Sequence, residues 1–305
     1  MDPIREKILK PSKETRQDFI GKTLSYASIF LIVGVVLAIF LFVASKGIAT
    51  FTQNKASLVE FLTGSEWNPG ATGPNGRPLV GALPMILGSF GVTLLAALFA
   101  TPFAIGTALY MTELSSKRSQ KFMQSVIELL VGIPSVVYGF IGLTVVVPFV
   151  RDHFGGSGYG ILSGAFVLFV MVLPTITSMT VDSLRAVPKY YKSASLALGA
   201  TEWQTIYRVL LRAALPGIMT AIVFGMARAF GEALAVQMVI GNATLLPESL
   251  LAPASTLTSV LTMGIGNTVM GTVSNNALWS LALVLLLMSL IFNIAVRFIS
   301  RKGKM

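Results

Sequence analysis

The sequence predicts an all-α, polytopic membrane protein with six transmembrane helices and both termini on the cytoplasmic side. Three observations carry that expectation. The 305 residues are 54% hydrophobic and only 12% charged, about half the charged fraction of an ordinary soluble domain. Several apolar runs reach the ~20 residues needed to cross a hydrocarbon core of ~30 Å. Of the 23 Lys and Arg residues, all but Lys46, Lys55, Arg77, Arg151 and Arg228 fall in segments on one side of those runs.

Residues 1–23 form a basic N-terminus with Arg5, Lys7, Lys10, Lys13, Arg16 and Lys22. Residues 24–45 are the first span; a signal-peptide core is usually only about 7–15 residues, so this run is read as an uncleaved anchor. Residues 46–83 are an extracytoplasmic loop in which "NPG" and "GPNGRP" mark turns. Residues 84–298 hold the other spans, at about 84–111, 126–150, 161–181, 216–240 and 278–298, and residues 299–305 close the chain on the cytoplasmic side. The segments 112–125 and 182–215 carry Lys117, Arg118, Lys121, Arg185, Lys189, Lys192, Arg208 and Arg212. This bias obeys the positive-inside rule. The net charge of +10 is then explained by orientation and by anionic headgroups, and no nucleic-acid partner is needed. Residues 242–277 are long and nearly uncharged. They fit a short helix at the outer interface, a hairpin dipping into the protein, or a plain loop.

Several chemistries are excluded. The chain has no cysteine, hence no disulfide, thiol nucleophile or thiolate metal site. Its single histidine, His153, falls in the polar stretch "RDHFGGSGYG" and reads as a loop residue. Acidic residues are dispersed, with no Asp-x-x-x-Asp pair on any span, which argues against an intramembrane enzyme that gathers carboxylates around Mg²⁺. The tripeptide Gly21-Lys22-Thr23 has Arg16 where a phosphate-cradling P-loop needs glycine.

The stretch "GMARAFGEALAV" places Arg228 and Glu232 inside the fifth span. Counted from Pro216, Arg228 falls roughly 18 Å into the bilayer. A lone central arginine costs at least about 2.5–3.5 kcal/mol, so it must face a partner or a cavity. On a continuous helix Glu232 lies one turn away on the same face and neutralises it. Such a pair either fixes helix packing or lines a route for an anion that the guanidinium fork can bind. In the third span Pro134 breaks the helix near "GIPSVVYG". Ser135 and Tyr138 there either face the same route or sit at a packing kink. Gly139 and Gly142 permit close helix contacts, and Glu128 complements the start of that helix.

Residues 182–215 are longer than a simple connection requires. Pro188 starts a helix in which Tyr190, Ala194, Ala197 and Leu198 recur at helical spacing. Gly199 ends it, and Thr201 caps a second helix running into the fifth span. The result is a helix–glycine–helix elbow, which fits a docking surface better than a stand-alone carrier or channel.

With Ser193-Ala194-Ser195, Gly199 and Val209-Leu210-Leu211-Arg212, this elbow resembles the EAA loop of ABC-importer permeases. The Glu and Pro of the general pattern are absent. "ALGAT-W", "PGI", "AR-FGEALAV---IGN" and "GIPSVVYGF" are similar to phosphate-importer permeases, and "WNP" at Trp67–Pro69 to their PstC-like members. The resemblance covers about Pro84 to Arg297. It implies a type I ABC importer permease fold and a role in phosphate import alongside a second, PstA-like permease. It further implies a cytoplasmic ATPase dimer docked through Ser193, Ala194, Ser195, Gly199, Ala200 and Thr201, and an extracytoplasmic phosphate-binding protein. ATP and Mg²⁺ belong to the ATPase, leaving no cofactor in this chain. Arg228, Glu232, Ser135 and Tyr138 become route residues, Glu232 being also a candidate acceptor for the proton of partly protonated phosphate. Another oxyanion, sulfate or molybdate, is the alternative cargo.

Overall fold

The computed structural model describes residues 13–302. Arg5, Lys7, Lys10 and Lys304 of the basic termini lie outside the described residues. Helices long and apolar enough to span a membrane occupy Arg16–Thr52, Leu83–Leu114, Ser135–Phe154, Ile161–Arg185, Glu202–Phe230 and Val273–Ala295. Two compact units divide the chain, residues 1–46 and 47–305.

The first unit contains most of helix α1 (Lys13–Thr52). Its apolar side chains are exposed from Phe19 to Leu41, as expected of a helix whose solvent is lipid rather than its own chain. Gly21-Lys22-Thr23 is part of this helix, and Lys22 pairs with Asp18 at 2.7 Å. A phosphate-cradling loop it is not.

The second unit takes in the end of α1, then α2 (Leu58–Thr63) and one small departure from the all-helical expectation. Strands β1 (Trp67–Thr72) and β2 (Pro78–Val80) form an antiparallel hairpin. Its turn contains Gly76 at φ +68°, a conformation that favours glycine, in a stretch too rich in Gly and Pro for a helix.

Three long helices form the centre: α3 (Leu83–Leu109, prolonged by a π-turn to Leu114), α7 (Ile161–Arg185) and α10 (Leu211–Phe230). Ala96, Ala100, Ala104 and Ala108 recur every four residues on α3 and are fully buried. Such a stripe of small side chains lets backbones approach closely, which holds helices together where lipid supplies no hydrophobic drive. The interior of α7 packs against both neighbours, joining Leu168, Val172 and Ile176 to one core.

The third span differs from its expected bounds. Residues 126–132 belong to an amphipathic helix, α4 (Lys117–Gly132), and the chain breaks at Ile133–Pro134. The span itself starts at α5 (Ser135–Ile141) and continues through a π-turn (Gly142–Val146) into α6 (Val147–Phe154). Gln120, Gln124 and Glu128 give residues 117–132 a polar face that a full span lacks. Glu128 lies well inside α4 and accepts from Gln124 at 3.0 Å, so it does not complement a helix start. His153 is in the last turn of α6 rather than a loop, with its ring stacked on Phe149.

The elbow comprises α8 (Lys189–Ala197) and α9 (Glu202–Thr205), the latter passing through a π-turn into α10. Beyond α10 come the short α11 (Leu234–Val239), then α12 (Leu257–Ile265) and the last span, α13 (Val273–Lys302). The segment of undecided form thus contains one helix and dips inward. Ser255 to Ser259 are buried, and the Ser255 carbonyl comes so near Gly88 that any side chain there would collide with it.

Candidate functional site

Arg228 sits in the last turn of α10, half-buried. Its Nη1 donates to Thr175 Oγ1 of α7 at 2.6 Å. Thr175 follows Pro174 near the middle of a 25-residue helix, so it lies roughly 15–20 Å from either end. The guanidinium is therefore at mid-membrane depth. Among the described residues, Thr175 is its one hydrogen-bond partner, and no carboxylate forms an ion pair with it.

The neutralising pair expected from sequence does not form, because α10 stops before Glu232. Gly231 caps the helix, and Glu232 lies in the break before α11. A spacing of four places two side chains together only on an unbroken helix. Glu232 instead accepts from the Ala235 N–H at 3.2 Å, satisfying a donor at the start of α11. Its own carbonyl accepts from Thr258 Oγ1 of α12 at 2.8 Å. The carboxylate thus caps α11, and α12 bonds the backbone of the break.

A second break precedes α5, the helix that packs on α11. Ser135 is the first residue of α5, directly after Pro134. Tyr138 is buried, and its hydroxyl reaches back across the break to the Leu130 carbonyl at 2.8 Å. The same carbonyl accepts from the Ile133 N–H at 3.4 Å, so the hydroxyl reinforces the last turn of α4. Gly139 brings α5 against α11, where a Cβ would stand 2.7 Å from Met238 Sδ and 2.9 Å from Ala235 Cα. Non-helical backbone at this depth survives only where protein buries it or a cavity borders it.

At the far end of α10 the elbow presents a different surface. Helix α8 ends in a Schellman motif, with Gly199 N–H bonded to Leu196 O at 3.0 Å and Ala200 N–H to Ser195 O at 3.2 Å. Gly199 adopts φ +83°, as that motif requires. Thr201 then forms a capping box with Gln204. Ser195 Oγ and Thr205 Oγ1 join the two elbow helices at 2.9 Å. Ser193 and Ala194 lie on the exposed side. Around them Leu198 is 89% exposed and Trp203 65%, so the tip is apolar and unpartnered within this chain. The rings of Tyr190 and Tyr191 stack beside it with centroids 4.8 Å apart, and the neighbouring Tyr191 side chain holds the Tyr190 phenol above its usual pKa. Lys192 Nζ meets Glu113 Oε2 at 2.6 Å, anchoring α8 to the end of the second span.

A membrane bundle with broken helices around a half-buried arginine and an apolar elbow at one end matches a known family. Residues 100–304 match the family described as "Binding-protein-dependent transport system inner membrane component". The chain belongs to that family of ABC-transporter permeases. The permease is 48% identical over 303 residues to the probable ABC transporter permease protein YqgH of Bacillus subtilis (strain 168), covering 99% of this chain and 97% of that one. It is 32% identical over 275 residues to the phosphate transport system permease protein PstC of Xylella fastidiosa (strain 9a5c), covering 83% and 82%. Its fold resembles that of a bacterial alginate ABC transporter solved with a pentasaccharide-bound periplasmic protein. That likeness has a TM-score of 0.61 at 19% identity, over 93% of this chain and 97% of the other. The permease is a multi-pass plasma-membrane protein with the type I ABC importer permease fold, a transport subunit rather than an enzyme.

Sequence reasoning placed Arg228 and Tyr138 in one neighbourhood but missed Thr175 and Glu113. Thr175 had a signal: a hydroxyl directly after a proline inside a span. Glu113 had one too, as the first acidic residue beyond the second apolar run and a counter-charge for the basic elbow.

Proposed function

We propose that the permease forms, with a second related permease, the route by which inorganic phosphate is imported at the expense of ATP. The observation that carries this reading is Arg228, a cation at mid-depth with a hydroxyl partner and no carboxylate pair. Several of its donors remain available to an oxyanion, for which a guanidinium fork is well shaped. Resemblance to PstC proteins supports phosphate as the cargo. Glu232, one break away, supplies negative charge close to the site. That charge keeps an anion from being trapped, which a conduit requires.

The positive-inside bias puts the elbow in the cytoplasm. Its apolar tip around Leu198 and Trp203 then docks on one subunit of an ATPase dimer, with Ser193 to Thr201 forming the hinge-like contact. The hairpin and α12 face outward, where a phosphate-binding protein delivers its ligand. ATP-driven closure of the ATPases moves the elbows together and rocks the spans around Arg228.

The test is uptake of labelled phosphate in phosphate-starved cells that carry wild type or Arg228→Gln, with excess sulfate or molybdate in parallel. Loss of uptake from an assembled complex, with wild type indifferent to the competitors, is the expected result. Normal uptake by Arg228→Gln would reduce Arg228 to a packing residue. Inhibition by sulfate or molybdate would widen the cargo to other oxyanions.

A further inference from the structure

Helix α4 (Lys117–Gly132) is the longest helix among the described residues that belongs neither to a span nor to the elbow. It has two unlike faces. Ile127 is buried and Met123 partly so, against Val181 and Leu184 of α7. On another face Phe122 is 71% exposed and Leu129 72%, with Val126 between them. The first two turns carry Lys117, Arg118 and Lys121, all exposed and none in an ion pair among the described residues.

Its place in the chain dictates its orientation. The second span ends at Leu114 and the third begins at Ser135, so the adjoining ends of these consecutive spans share one membrane boundary. The 20 residues of Ser135–Phe154 suffice by themselves for a core of ~30 Å. Helix α4 therefore cannot cross the bilayer as well and must run along its surface. Apolar residues exposed on such a helix sit in the headgroup–acyl boundary. Cations at its N-terminus oppose the helix macrodipole, an arrangement that negative charge just outside the helix relieves. No acidic side chain of the first turn supplies that charge.

We propose that α4 is an interfacial anchor for the elbow-side leaflet, holding anionic phospholipid headgroups through Lys117, Arg118 and Lys121 while Phe122 and Leu129 enter the acyl region. Because α4 leads directly into the Pro134 break, the lipid charge then bears on the helix that carries Tyr138.

The absence of cysteine from the chain makes the test direct. Phe122→Cys carries a nitroxide in the full-length permease, assembled with thiol-free partner chains. The complex is placed in phosphatidylcholine vesicles with or without phosphatidylglycerol. The expected nitroxide is accessible to oxygen, shielded from a water-soluble nickel chelate, and shifted deeper when phosphatidylglycerol is present. Lys117→Gln, Arg118→Gln and Lys121→Gln combined abolish that shift. A label open to the nickel chelate would place α4 in the cytosol, and one hidden from both reagents would place it against another protein. Either result overturns the proposal. An oxygen-accessible label indifferent to phosphatidylglycerol overturns the headgroup assignment.

Discussion

Arg228 and Glu232 are four residues apart and do not pair, whereas Glu113 and Lys192 are 79 apart and meet at 2.6 Å. The difference lies in what the backbone does between and around the charges. Helix α10 ends between the first two, and Glu232 is drawn to the N–H groups at the start of α11. The second two are carried by separate elements that close packing at the elbow end brings together. An unpaired cation at mid-depth and a satisfied pair at the membrane edge serve opposite ends. One leaves several guanidinium donors without a partner among the described residues, and the other ties the elbow to the second span.

The contrast sharpens most at Thr175. Its hydroxyl is the acceptor that aims the Arg228 guanidinium. Thr175→Val keeps the shape of the side chain and removes the acceptor, leaving a charged donor short of a partner at a cost of about 1–3 kcal/mol. Phosphate uptake should fall roughly 5- to 150-fold, while Thr175→Ser should stay near wild type. Equal uptake by Thr175→Val and Thr175→Ser would show that Arg228 needs no such aim.

The elbow pair should respond to exchange. Glu113 is 13% exposed and Lys192 37%, so solvent screens the pair in part, and about 1 kcal/mol is a fair scale. Glu113→Lys or Lys192→Glu alone should lower transport-coupled ATP hydrolysis roughly fivefold. The double exchange should recover most of it, since either order of charges anchors α8. A double variant no better than the singles would assign the effect to local packing.

Much of this architecture was legible in the sequence. Apolar length and the Lys/Arg bias reveal six spans. The elbow was readable because Pro188, Gly199 and Thr201 act locally, through a fixed φ, a left-handed turn and a side-chain cap. Residues whose role depends on neighbours far along the chain were not readable. Val126 to Gly132 are apolar enough to join a span, and the burial of Ile127 as one side of a separate amphipathic helix emerges only against the facing Val181 and Leu184. Likewise Gly231 looks like one more residue of an apolar run. Its place at the end of α10 emerges once α12 binds the Glu232 carbonyl through Thr258, a tertiary contact across 26 residues.

Glu232 carries the smallest expected effect and separates two uses of one carboxylate. As a cap for α11 it needs only an oxygen facing the Ala235 N–H, which Glu232→Gln retains and Glu232→Ala removes at a cost of about 1 kcal/mol. The capping role therefore predicts uptake within about twofold of wild type for Gln, a drop of roughly fivefold for Ala, and unchanged selectivity against sulfate in both. A role in reading the proton of partly protonated phosphate predicts something else. Gln would then assemble normally yet let sulfate compete, because an amide oxygen accepts that proton far more weakly than a carboxylate does. Competition assays on the two variants decide between them. The bond that Glu232 accepts from the Ala235 N–H favours the cap.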